Sequence, residues 1–597
     1  MLSLPFVDSR RLTGPNLHFA APGAVLQSAG VAVDAALRER WHAQVARARA
    51  ALAWPQAPVS VRATAGGAVF ALAAPVDQLF SATEVNEWAL ASALDGHGAW
   101  ARLHAPGHPA AWDEASAMAT LRAFAAHERR PALAALYAAA QARRRNVLLD
   151  EDSLALGAGD HARCWPLDAL PDAAVLDWDA LREVPIALVT GSNGKTTTTR
   201  LLAAIARAHG LHVAHTCTDG VYVDGARIAA GDYSGPVGAR TALRAPGIGL
   251  AVLETARGGL LRRGLAVQHA QVGVVTNVSD DHFGEYGIDD LAALAEAKLA
   301  IAAALDAQAT LVLNGDDELL VRTAAQRGVA ARRAWFALDA DAPLLVARRA
   351  QGEATCGVRD ARLCLHVAHA THDLGAVQAL PLGFGGSARY NLANIAAAAL
   401  AAQALGIAPE TIAAVVRRFG ADPQDNPGRL QHVVLDGVQV LVDYAHNPDG
   451  MRGLLEVAAG LHPARLGILL GQVGNRSDAE IRELAAVVAQ ARPARIVLKE
   501  IASLLRGRAP GEVADLLRDE LRQRAMAVAE GAPRDEYAGV CELLAWARAG
   551  DVLVLPVHGG DGRSRVAALL ATLAAQHWRV GSALHEPAPA AQATPGA

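Results

Sequence analysis

From Val184 to about Gly406, short apolar runs alternate with stretches of helical spacing, and Ile186 to Thr190, Gly249 to Thr255, Val272 to Val278 and Thr310 to Leu313 read as strands. Continuous apolar runs fit strands covered on both faces, and strands alternating with helices predict βαβ units in a parallel sheet. After the breakers Pro423 and Pro427 the pattern resumes, with strands at Val438 to Asp443, Leu466 to Leu470, Arg495 to Leu498 and Val552 to Leu555. The first part of the chain is mixed. Helical spacing from Asp34 to Leu52 precedes alternation in Val59 to Thr64, a Gly66-Gly67 turn and an apolar strand from Ala68 to Ala73. Further helices are predicted near Thr83 to Leu94 and over Asp113 to Arg144.

The fold class predicted is multidomain α/β. An α+β N-terminal domain covers 1–145 and an irregular connecting segment 146–183. A central P-loop parallel-sheet domain covers 184–422, and a C-terminal Rossmann-like domain 423–578. A tail over 579–597, rich in Ala and Pro, is expected to be disordered. The 597 residues fit that plan, since ~150 residues per domain suggests roughly three or four. Hydrophobic residues reach 52% but aromatics only 4%, so small-residue helices should pack on aliphatic strands.

Charge narrows the function classes. A net charge of -5 supplies no broad electrostatic basis for nucleic-acid binding. Five scattered cysteines without a Cys-x-x-Cys pair argue against a disulfide framework and fit a reducing cytoplasm. The N-terminus lacks signal-peptide character, and no apolar run approaches the ~20 residues of a membrane span. The expectation is a soluble cytoplasmic protein without a membrane or nucleic-acid partner.

The sharpest chemical feature is Gly191-Ser192-Asn193-Gly194-Lys195-Thr196-Thr197, between the strand Ile186 to Thr190 and a helical stretch. Glycines let backbone N–H groups converge on phosphate oxygens, and a helix N-terminus adds its positive dipole end. Lys195 reaches outer phosphates and Thr196 can hold Mg²⁺. The first glycine of the longer G-x-x-x-x-G-K-[ST] string falls on Val189, so this is a shortened form. Glu254 ends one strand, and Asp281-His282 follow another. Ligands gather at the carboxyl ends of strands in open α/β sheets, so these groups should converge on a Mg²⁺-nucleotide.

Those motifs, with Thr276-Asn277, Lys298, Asn391 and Asn394, Pro427-Gly428-Arg429, Asp443 to Asp449 and Gly471 to Asp478, resemble the Mur ligase family over residues 184 to about 575. Within it, Leu253 to Arg262 and Leu505-Arg506-Gly507-Arg508 are similar to the Mur-like half of the cyanophycin synthetase branch. Gly14-Pro15-Asn16 and Thr83 to Leu90 point the same way for the N-terminal segment. That branch also has an ATP-grasp domain, for which residues 146–182 leave no room, so only the Mur-type ligation would remain.

The resemblance implies an ATP-dependent ligase that activates a carboxylate as an acyl phosphate and joins it to an amino-acid amine. Arginine joined to an aspartate side chain is the favoured pair. It implies ATP and Mg²⁺ as cofactors and a carboxylate-bearing, peptide-like acceptor as partner, and leaves a homo-oligomer open. Thr196, Glu254 and His282 would hold metal, with Lys195, Lys298 and Arg429 catalytic. Lys298 stands where many family members carry a carbamylated lysine, although an exposed helix lysine is the plain alternative. Asn391 would be among the nucleotide-binding residues, with Asn394 at the adenine, Arg429 at the phosphates and Asp443 at the ribose, while His446, Asn447, Asn475, Arg476 and Ser477 would meet substrate. The rivals are a ligase of another amine and acid, and a nucleotide-binding scaffold that ligates nothing. His366, His369 and His372 near Cys364 invite a metal-site reading. They lie in strand-like alternation that would turn the middle one away, so no metal is assigned there.

Overall fold

The computed structural model describes residues 6–95, 113–280 and 283–584. Eleven strands form the central sheet, in which Leu250–Glu254, Ile186–Thr190 and Ala270–Val275 lie side by side and parallel. Ile186–Thr190 is buried throughout, which explains its unbroken apolar run. Its alternate residues feed two cores. Ala187 and Val189 pack with the helices Lys195–Ala208 and Arg389–Ala404 on one face. Ile186 and Leu188 pack with the helix Pro236–Leu243 on the other.

The sheet is parallel only in its middle. One edge ends in the antiparallel strands Gly220–Val223 and Ala226–Ala230, the other in Arg362–Val367 and Ala370–Ala376. These short, partly exposed hairpins have no long apolar run to announce them. In the second, His366 Nδ1 lies 2.8 Å from Thr371 Oγ1, and His369 occupies the turn with a φ of 72°.

The N-terminal part is a four-stranded antiparallel sheet, in the order Phe6–Leu12, Gly23–Ala29, Gly67–Ala73, Val59–Thr64. Helices Ala35–Leu52 and Leu79–Asp95 cover one face, their Trp41 and Trp88 sharing a core with Phe70 of the sheet. The single helix expected over Asp113 to Arg144 is two, Glu114–Glu128 and Pro131–Ala142. Pro131 has no N–H to continue the first helix but suits the first turn of the second. The connecting segment is not irregular throughout. Val147–Leu149, Ser153–Leu156 and Arg163–Pro166 pair antiparallel, each too short to show a period in sequence.

Gly14-Pro15-Asn16 forms a joint between the N-terminal and central parts. Leu265 N–H donates to the Pro15 carbonyl at 2.7 Å, and a Cβ on Gly14 would stand 2.2 Å from the Leu265 carbonyl oxygen. The C-terminal sheet has five strands. Val438–Asp443, Val552–Pro556, Leu466–Leu470 and Arg495–Leu498 run parallel, with Gln431–Leu435 antiparallel at one edge. Of the predicted tail, 585–597 lies outside the described residues, while Val580 and Leu584 lie against the C-terminal core. Among the described residues no helix is long and apolar enough to cross a membrane.

Candidate active site

The glycine loop leaves the central strand at Gly191 and enters the helix Lys195–Ala208 through Gly194. Both glycines are forced. Their φ angles are 147° and 84°, and a Cβ would stand 1.8 Å from Thr276 Oγ1 at the first and 2.1 Å from Asn394 Oδ1 at the second. The neighbouring strand end holds the loop in shape. Ser192 N–H donates to the Asn277 carbonyl at 3.0 Å and Asn193 N–H to Asn277 Oδ1 at 2.9 Å, while Thr276 Oγ1 donates to the Asn193 carbonyl at 2.6 Å. Thr276-Asn277 thus buttress the loop from behind. Lys195 Nζ donates to the carbonyls of Gly191 and Ser192, at 3.0 Å each.

Glu254, 2% exposed, ends the adjoining strand. Thr196 Oγ1 donates to its Oε2 at 2.8 Å and Thr218 Oγ1 to its Oε1 at 3.1 Å. Burial pushes its carboxyl above the ordinary glutamate value, against the pull of Lys195 and the Thr196 hydrogen bond. A buried carboxylate that meets hydroxyls and faces a cavity is a hard-oxygen donor set, which fits a Mg²⁺ ion. His282 and Asp281 lie outside the described residues.

One cavity of about 1850 Å³ joins these groups, lined by Gly191 to Thr197, Glu254, Lys298, Asn391, Asn394, Arg429, Asp443 and His446. Lys298 is not an exposed helix lysine; it is 2% exposed and faces this space. Asn394 Nδ2 donates to Asn391 Oδ1 at 3.1 Å, and Asn391 Nδ2 to the Leu382 carbonyl at 3.1 Å, so the pair is held on its helix. Arg429 lies over the Tyr444 ring at 4.2 Å. Asp443 accepts the Leu430 N–H at 2.6 Å, and burial raises its carboxyl despite Arg429.

Asp219 was invisible in the sequence. It pairs with Arg200 of the glycine-loop helix at 2.6 Å, with Arg563, and with Arg429 at 3.8 Å. Burial opposes its charge, but Arg429, Arg200 and Arg563 outweigh it and hold the carboxyl below its ordinary value. One acid thus ties two C-terminal arginines to the phosphate-loop helix. Thr218 was missed as well. Both follow the strand Val213–Cys217, whose polar His215 and Thr216 hide it, although it pairs in parallel with Leu250–Glu254.

Four predicted substrate contacts are engaged elsewhere and do not line the cavity. Asn447 caps the helix Pro448–Gly460, accepting Gly450 N–H at 2.8 Å, and its Nδ2 donates to Asn193 Oδ1 at 3.1 Å. Ser477 caps Asp478–Gln490 in a reciprocal box with Glu480. Asn475 donates to Glu285 at 3.1 Å, and Arg476 is buried 3.9 Å from Glu480. Arg508 clamps their loop through the carbonyls of Gly474 and Arg476. Thr197 lines the cavity, but its hydroxyl accepts Asn426 Nδ2 at 3.1 Å.

Residues 189–402 match the Mur ligase middle domain, and residues 428–556 match the Mur ligase, glutamate ligase domain. A UDP-N-acetylmuramoyl-L-alanyl-D-glutamate--2,6-diaminopimelate ligase of Xanthomonas campestris is 30% identical over 401 residues, covering 64% of this chain and 73% of the relative. The chain belongs to the Mur ligase family. Among other Mur-type relatives, the cyanophycin synthetase of Synechocystis sp. is 40% identical over 341 residues, 56% of this chain. The chain spans 38% of that relative's length. The solved structure of E. coli FolC in complex with DHPP and ADP has 18% identity and a TM-score of 0.48, covering 65% of this chain and 89% of that one.

Proposed function

We propose that this Mur ligase family member is an ATP-dependent amide ligase that activates a substrate carboxylate and joins it to an amino-acid amine. The observation that carries the reading is the cavity itself. It gathers a glycine loop with Lys195, the Thr196–Glu254 pair and the C-terminal Arg429 and Asp443 around one space.

The acceptor carboxylate oxygen would attack the γ-phosphorus and expel ADP, leaving an acyl phosphate. The amine nitrogen would then attack the acyl carbon, expelling phosphate and losing a proton. Bringing two anions together requires local positive charge, and Lys195 and Arg429 supply it from opposite domains. Thr196 and Glu254 would hold Mg²⁺, which when bound neutralises developing phosphate charge. Lys195, now folded on the loop carbonyls, has to turn toward the phosphates. The Asp219 tie to Arg429 and Arg563 positions the C-terminal domain over the loop, so that water is kept from the acyl phosphate. Asn394 would meet the adenine and Asp443 the ribose; His282 would hold a second Mg²⁺.

The 40% identity to a cyanophycin synthetase supports arginine joined to an aspartate side chain as the pair to test first. A cytoplasmic setting and an acidic, peptide-like acceptor go with that reading. The test is ADP release over amino acids crossed with acidic acceptors. Turnover that needs ATP, acid and amine together supports the ligase. Hydrolysis indifferent to both partners, or nucleotide binding without release, overturns it in favour of a scaffold.

A further inference from the structure

The cavity runs well beyond the nucleotide end, between the helix Arg257–Arg263 and the N-terminal sheet, where Arg11, Arg240, Arg262 and Arg263 line it. The wall is built rather than accidental. Thr13 N–H and Oγ1 donate to the Arg263 carbonyl at 2.8 and 3.2 Å, and Arg10 Nε to the Leu261 carbonyl at 2.9 Å. These bonds stitch the strand Phe6–Leu12 to that helix.

Three of the acids nearby are already engaged, while Asp152 also lines this end. Asp150 pairs with Arg240 and, at 2.6 Å, with Arg244; Glu151 meets Arg11 at 3.3 Å; Glu128 accepts Phe80 and Ser81 N–H at 2.8 and 2.7 Å. The Arg262 and Arg263 side chains have no hydrogen-bond or ion-pair partner among the described residues. The positive charge is crowded. Burial, then Arg263, pulls Arg11 below the ordinary arginine value, and burial, with Arg244 and Arg263, does the same to Arg240 against Asp150. Arg240 and Arg11 have Asp150 and Glu151 as counter-charges, so it is Arg262 and Arg263, beside them on the cavity wall, that offer guanidiniums to a carboxylate supplied from outside.

We propose that this arginine wall binds further carboxylates of an extended acidic acceptor whose reacting carboxylate lies at the Lys195–Glu254 end. The helix sets the reach. The helix Arg257–Arg263, seven residues at ~1.5 Å each, is about 10 Å long, a length that about three extended residues would span. The N-terminal sheet is therefore one wall of the acceptor channel. The proposal deepens the ligase reading and rests on it for the position of the reacting group.

The test is a titration of fluorescently labelled hexa-aspartate without nucleotide, across salt, on the full chain, Arg263→Gln, the Arg262→Gln/Arg263→Gln double variant and Arg263→Lys. Wild type should bind with an affinity that falls as salt rises. The Gln variants should bind roughly tenfold more weakly or worse, as expected for lost charge-assisted hydrogen bonds, and Lys should restore most of it. Labelled ADP binding, equal in all four, reports that the fold is intact. With oligo-aspartate as acceptor, KM should rise by the same factor in the Gln variants. Equal hexa-aspartate affinity in wild type and Gln variants overturns the proposal, as does a wall that takes inorganic phosphate but not hexa-aspartate. Binding lost in the variants while no amine is ever ligated leaves the acidic-ligand site standing and removes the ligase reading instead.

Discussion

Glu254 and Glu536 are both glutamates buried to within a few percent, on different domains, and they have opposite surroundings. Glu536 accepts Lys499 Nζ at 2.6 Å and the N–H groups of His558 and Gly559 at 2.7 and 2.9 Å. Lys499 also donates to the Pro556 carbonyl at 2.6 Å and lies 3.4 Å from His558 Nδ1, while His558 Nε2 lies 2.9 Å from the Ala445 carbonyl. That assigns His558 as the neutral, Nε2-protonated tautomer, in keeping with burial pushing its imidazole well below the ordinary value. Every strong group in the cluster is spent, and its role is to fix the loop bearing Tyr444 and the start of the helix Gly560–Ala575 that bears Arg563. Glu254 has two hydroxyl donors and an open cavity in front of it. A buried carboxylate is costly unless paired, so the difference marks which one waits for a cation.

The largest expected effect breaks the satisfied side. Glu536→Ala strands a buried ammonium and should cost about 3–5 kcal/mol, read as a lower urea midpoint for the C-terminal domain. Replacing both partners, Lys499→Met with Glu536→Leu, removes the stranded charge and should recover part of that loss, the N–H groups of His558 and Gly559 staying unpaired. If the double variant is no better than the single, the cluster is not a coupled pair. On the other side, Lys195→Ala should leave the urea midpoint near wild type and cut acid- and amine-dependent ADP release by about 10²–10³. A comparable fall in stability instead would put Lys195 with the structural cluster.

The pH response sharpens the Glu254 side of the comparison. The fold holds the Glu254 proton more tightly than the unfolded chain does. Between the ordinary glutamate value and the raised one, the native state carries the extra proton, so nucleotide-free stability should fall as pH rises through that window. Mg²⁺ with ADP requires the ionised carboxylate, and its stabilisation should grow over the same window, with protons released on binding. Glu254→Gln should flatten both trends. Melting temperature against pH, with and without Mg²⁺-ADP, reads them directly.

What the sequence discloses follows from burial. Ile186–Thr190 and Leu250–Glu254 are covered on both faces, so their apolar runs are unbroken, and the residues at their ends stand out as a site. Val213–Cys217 is buried too, yet His215 and Thr216 interrupt the run, and with the strand unrecognised Thr218 and Asp219 carry no signal. The three-stranded connecting sheet and the hairpin Gly220–Val223 with Ala226–Ala230 are too short for periodicity to register, whereas the strand Arg362–Val367 shows its alternation. Asn447 and Ser477 teach a different lesson. Asn-Pro before a helix and Ser-x-x-Glu at another helix start are capping signals legible in the sequence, but resemblance drew both residues into the substrate pocket. The joining role of Asp219 could not be read at all, because its three arginines come from places distant in the chain.

The smallest effect tests that last pair of readings. Ser477 Oγ accepts the Glu480 N–H at 3.2 Å, and Glu480 Oε2 accepts the Ser477 N–H at 2.8 Å. If Ser477 acts through this cap, Ser477→Ala should cost about 1 kcal/mol and Ser477→Asp, which can still accept at the helix start, should cost much less. A hydroxyl that instead meets the incoming amine would show the reverse order in KM, with no difference between the two variants in urea midpoint. Because Arg508 holds the same loop through the Gly474 and Arg476 carbonyls, the loss at Ser477 should stay local, moving the helix Asp478–Gln490 and leaving the Glu254 pH trend unchanged.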